Sequence, residues 1–166
     1  MTQSNVLTAP WTGPYGGVPP WDRVSADDFP AALQASLDDE RAAYERIAAN
    51  PEVPTFENTL VAMERAGEMK RRVLRMFNVM RQNLSTPAYR ELDREWQPRL
   101  AAASDALLFM PGLFERIDAV YASLGQLALT PEQTRLVTLT WERFVRSGAK
   151  LDAGGRARLS ELNQAL

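Results

Sequence analysis

The chain has 166 residues, 45% hydrophobic and 24% charged, with 19 basic and 21 acidic side chains, enough for one domain with a real core. A net charge of −2 argues against a general nucleic-acid binder, which needs a cationic surplus to displace counterions from phosphates, and against a polybasic membrane-surface module. With no histidine and no cysteine, the chain cannot build a Ser-His-Asp triad, a thiolate nucleophile, a disulfide or a His-Glu-x-x-His zinc site.

Met1 to Asn5 shows no basic region followed by an apolar core, so no secretory leader is visible. No apolar run approaches the roughly 18 residues of a membrane span. These features lead to the expectation of a soluble, cytoplasmic protein. The stretch from Pro10 to Trp21 is rich in Pro, Gly and aromatic residues and holds neither helix nor ladder. It reads as an arm that straps its rings over the helices behind it; a Pro-rich ligand for an aromatic groove is the competing reading. The expected division is a non-helical arm over 1–24 and one helical domain over 25–166.

Helical signals follow one another from there. Ser25 and Asp28 form a capping box flanked by Val24 and Phe29; Pro30 would be awkward four residues into that helix, which leaves a restart of the main helix at Asp28 as the alternative. The first stripe is Phe29, Leu33, Leu37, Tyr44 and Ile47, ended by Asn50-Pro51. Thr55 is the expected cap of a long second helix running to about Asn83, its apolar face broken by Gly67 and Lys70. Thr86-Pro87 opens a third, in which Tyr89, Leu92, Trp96, Leu100, Ala103, Leu107 and Met110 step by three and four, with a kink expected at Pro98. Leu113, Ile117, Val120 and Leu124 mark a fourth, and the Thr130-Pro131-Glu132-Gln133 box opens a fifth through Val137, Trp141 and Phe144. Asp152 would cap a sixth running through Leu159 and Leu162 to Leu166. No stop signal closes that helix, so the expectation is an all-α, antiparallel bundle-like array of about six helices, truncated at its C-terminal end.

Candidate chemistry is sparse. Asp38-Asp39-Glu40 is acidic, but contiguous helical residues point apart and cannot converge on a cation. Lys70, Arg71, Arg72 and Arg75 form the densest basic patch, partly an ordinary surface pair of Arg72 with Glu68. Met69, Val73, Met76 and Met80 form a stripe that reads first as core, and second as a soft wall for varied peptides. The candidates for a substrate wall are Met69, Arg72, Met76 and Met80, with no catalytic and no metal residue.

Several segments carry a resemblance. Asn50-Pro51-Glu52-Val53-Pro54-Thr55-Phe56-Glu57-Asn58-Thr59-Leu60, continuing from Ala62 through Glu68, resembles the N-terminal signature of the thimet oligopeptidase family of zinc metallopeptidases. The likeness is greatest to its bacterial peptidyl-dipeptidase branch, with the oligopeptidase A branch next. Trp11 to Pro20, Leu113 to Tyr121, Arg135 to Val137 and Arg143 to Leu151 resemble further segments in the same order. The resemblance implies a mostly helical, two-lobed enzyme with a deep channel, whose zinc is held by the C-terminal half. This chain would then supply channel wall and lid, restricting substrates to short unfolded peptides. Its partner would be the missing C-terminal catalytic half, and it would itself carry no cofactor. A stand-alone helical interaction module without enzymatic activity is the competing class.

Overall fold

The computed structural model describes residues 5–14, 17–152, 154–155 and 158. Among them there is no strand, and an isolated bridge between Thr12 and Val18 is the sole ladder contact. Short 3-10 turns at Trp21–Arg23 and Ala26–Asp28 lead into helix α1, Phe29–Ala48. The backbone amide and hydroxyl of Ser25 both donate to the Asp28 carboxylate, at 2.7 and 2.8 Å. Pro30 is accommodated as the second residue of α1, where its missing N–H would have had no helical acceptor.

The expected long second helix is instead three pieces. A π-helical segment, Phe56–Val61, opens it, followed by α2, Ala62–Arg65, and then α3, Glu68–Leu84. The break between α2 and α3 has a local cause: Gly67 has φ +71, a left-handed conformation that interrupts the helix and that Gly adopts without a Cβ penalty. In the π-helical segment Phe56, Thr59 and Leu60 are buried. Helix α4, Pro87–Leu108, starts where Thr86-Pro87 places it and continues through Pro98. Helix α5 spans Leu113–Ala122, a 3-10 turn follows at Leu124–Gln126, and α6 spans Pro131–Arg146. Asp152 does accept a hydrogen bond from the Gly155 amide, at 2.7 Å, in the manner of a helix cap. Leu159, Leu162 and Leu166 lie outside the described residues.

The chain divides into two compact units. The first draws on Met1–Ala43 and Glu64–Ser104, the second on Tyr44–Met63 and Asp105–Leu166. In the first, Leu7, Phe29, Leu33, Val73, Met76, Phe77, Tyr89 and Trp96 form one buried cluster. Phe29 sits 5.2 Å from Phe77 and meets Tyr89 edge-on at 5.9 Å, the tilted arrangement that ring quadrupoles favour. Each such side chain contributes about 1.5–3 kcal/mol on burial. In the second unit α5 and α6 pack on each other and on the π-helical segment, burying Phe56, Leu60, Val120 and Val137.

Candidate functional site

The second unit holds the most highly organised polar assembly, centred on Arg116 of α5. Arg116 is buried, and its stripe neighbours Leu113, Ile117 and Val120 are fully buried. One guanidinium nitrogen donates to the backbone carbonyls of Asn50 and Glu52, at 2.7 and 3.0 Å. The other donates to Asn58 Oδ1 at 2.8 Å. Two acceptors belong to the segment between α1 and the π-helical turn and the third to the π-helical turn itself, so one side chain ties that segment to the helix that follows it. The planar fork of Arg suits this, because its donors are fixed in direction.

Asn58 is the second hub. Its Oδ1 also accepts from the Thr55 amide at 2.8 Å and from the Thr59 hydroxyl at 3.1 Å, and its Nδ2 donates to the Val53 carbonyl at 3.0 Å. Thr55 Oγ1 accepts from the Asn58 amide at 3.0 Å. Thr55 is thus the cap its sequence position indicates, with Asn58 returning the bond as Glu or Gln would in the usual box. Asn50 Oδ1 accepts from the Glu52 amide at 2.9 Å. The chemistry of this assembly is positional: both terminal guanidinium nitrogens of Arg116 are engaged, while its buried Nε has no hydrogen-bond partner.

Beside it, Trp141 of α6 stacks on Tyr121 of α5 at 4.1 Å and donates its indole N–H to Asp118 at 2.6 Å. The Lys150 ammonium lies 4.7 Å from the Trp141 ring and 3.6 Å from Asp118. At the start of α6, Thr130 and Gln133 form the expected reciprocal cap. Hydrogen bonds from its own backbone amide and from the Thr130 hydroxyl hold the Glu132 carboxyl below the usual carboxylate range.

The substrate-wall candidates lie in the first unit, on α3. Met76 has no exposed surface, and Met69 and Met80 pack against its cluster while keeping some exposure. Arg72 donates to Glu68 Oε1 at 3.0 Å and to the Thr8 carbonyl at 3.3 Å, so the i, i+4 pair forms and the same side chain also ties down the arm. Lys70 is engaged too, with Glu40 at 2.6 Å, and both side chains are largely buried. Arg71 donates to the Ala66 and Glu64 carbonyls. Much of the basic patch is therefore spent on internal contacts. In the same core the Tyr89 phenol is pushed up by burial and by the nearby Asp28 carboxylate.

Zinc is the metal the resemblance implies, and the donors here do not fit it. Of the acidic run on α1, Glu40 is paired with Lys70 and Asp38 accepts from Gln34. Among the described residues no three His, Cys, Asp or Glu side chains converge. No helix among them is long and apolar enough to cross a membrane.

Sequence reasoning missed Arg116 as the organising residue. The signal was present: Leu113, Arg116, Ile117 and Val120 fall at i, i+3, i+4 and i+7, which places a charge inside a buried stripe.

The fold and this assembly define a helical protein built around a polar framework centred on Arg116. No protein-family profile matches the chain. It is 33% identical over 163 residues to the dipeptidyl carboxypeptidase of Escherichia coli strain K12, across 98% of this chain and 24% of that protein. It is 34% identical over 145 residues to the dipeptidyl carboxypeptidase of Salmonella typhimurium strain LT2, across 87% of this chain and 21% of that protein. The chain is similar to these dipeptidyl carboxypeptidases along nearly all of its own length, and it spans about a quarter of the length of the curated relatives it matches.

Proposed function

We propose that the chain is the N-terminal channel-wall and lid portion of a cytoplasmic zinc metallopeptidase that releases dipeptides from the C-termini of short peptides. The zinc and its ligands would belong to polypeptide outside this chain, which would be its partner. The observation that carries this reading is the match along 98% of the chain to about a quarter of a dipeptidyl carboxypeptidase. The framework around Arg116 supports it, since a wall must hold its shape without taking part in the chemistry. Met69, Arg72 and Met80 are the residues proposed to face the channel, with Met76 supporting them from the core.

The test compares the whole encoded polypeptide with residues 1–166 alone. The whole protein should hold about one zinc per chain after dialysis and release dipeptides from a short unstructured peptide. The 166-residue chain should do neither. Tight stoichiometric zinc on the short chain would overturn the reading. Absence of both zinc and peptidase activity from the whole protein would favour the helical interaction module instead.

A further inference from the structure

The turn Pro51-Glu52-Val53-Pro54 is built in an unusual way. Val53 is 80% exposed, the most exposed of the large hydrophobic side chains among the described residues. A lone exposed valine on a flexible loop is ordinary, but this one is held out by a rigid frame. Arg116 grips the Asn50 and Glu52 carbonyls, Asn58 holds the Val53 carbonyl and the Thr55 amide, and Asn50 holds the Glu52 amide. Pro51 and Pro54 have no N–H to offer and fix their own φ. With these groups committed inward, the turn presents outward the side chains of Pro51, Glu52 and Val53.

We propose that this turn is a preformed apolar docking point, and that it seats in an apolar socket on the part of the peptidase polypeptide lying outside this chain. The inference rests on the reading of the chain as one portion of a longer peptidase. Three observations select that occupant. The relatives carry roughly three-quarters of their length outside the matched region, so a large protein surface is available to cover the turn. Pro51 and Val53 give the turn an aliphatic tip, which calls for a dry socket with the exposed Glu52 carboxylate left at its polar rim. The frame is already rigid, so docking orders nothing further and loses little conformational entropy. A bound peptide is the occupant the test must exclude.

The chain has no cysteine, so Val53→Cys places a unique reporter in this region at an exposed position that folding does not depend on. The variant is made in the whole polypeptide, and alkylation of the thiol by iodoacetamide is followed on the peptide containing residue 53. The same polypeptide unfolded in guanidinium gives the reference rate. A docked turn should react at least about tenfold more slowly than the reference, because a thiol in an apolar socket is screened and held neutral. A native rate equal to the reference overturns the proposal, and so does protection that appears only when a peptide is added. Zinc content and dipeptide release measured on the same sample keep the two readings apart. Activity with an unprotected thiol removes the docking point and leaves the peptidase reading standing. Inactivity without zinc removes the peptidase reading, whatever the thiol does.

Discussion

The first unit is organised by apolar packing, with Phe29, Phe77, Tyr89, Met76 and Trp96 in one cluster. The second is organised around a buried guanidinium that donates to three oxygen atoms. The segments that carry the resemblance lie mostly in the second unit. Asn50 to Leu60, Leu113 to Tyr121 and Arg143 to Leu151 all fall in the second unit, whereas the first contributes mainly the arm from Trp11 to Pro20. An apolar core accepts volume-conserving swaps at small cost. A directional polar frame accepts few, because each lost partner leaves a buried group unsatisfied.

The largest expected effect tests that difference directly. Arg116→Lys keeps the charge but loses the fork, and should cost about 2 kcal/mol or more through unpaired buried acceptors. Met76→Leu, a similar-sized change in the other core, should cost less than about 1.5 kcal/mol. Urea denaturation read by hydrogen exchange on separate segments gives both values. Equal losses would mean that the polar frame is no more demanding than the apolar core.

A smaller effect comes from the two backbone devices, one in each unit. The Cβ of Gly67→Ala would enter a left-handed conformation 2.6 Å from Glu40 Oε1, on the carboxylate whose other oxygen, Oε2, holds Lys70. The expected loss is about 1–2 kcal/mol for the left-handed geometry, with exchange accelerated in α3. Thr55→Ala removes the acceptor for the Asn58 amide and should cost about 0.5–2 kcal/mol, with exchange accelerated in the π-helical segment. If either change speeds exchange equally in both regions, that device does not act locally.

The smallest effect is a pH dependence confined to the second unit. Glu132 has its folded pKa lowered, so its contribution is present above the unfolded carboxyl pKa and is lost as pH falls through the folded value. Acid titration of stability should therefore differ slightly between the chain and Glu132→Gln across the acidic range, and should coincide near neutrality apart from a constant offset. Identical slopes through the acidic range would show that the Thr130 hydroxyl and the Glu132 amide do not hold the carboxylate.

The sequence by itself determined the elements whose causes are local. Thr130-Pro131-Glu132-Gln133 and Thr55 carry their own capping chemistry within four residues, so their helix starts were legible, as were Thr86-Pro87 and the apolar steps of α4. The resemblance was legible too, because its segments are continuous in the chain. What the tertiary structure decided involves partners far apart in sequence. The long second helix is divided because Gly67 takes a left-handed turn that periodicity cannot register, and its first turn is π-helical although Phe56, Thr59 and Leu60 keep the i, i+3, i+4 spacing of an α-helix. Met76 is sealed in a core with Phe29 and Trp96, a fate that helical spacing shares with a peptide-facing stripe. For Arg116 the sequence shows a charge inside an apolar stripe, but its partners, the carbonyls of Asn50 and Glu52 more than sixty residues away, are supplied by the tertiary structure. Hydrogen bonds to backbone oxygen leave no pattern in the residues that supply it, since every residue has the same carbonyl.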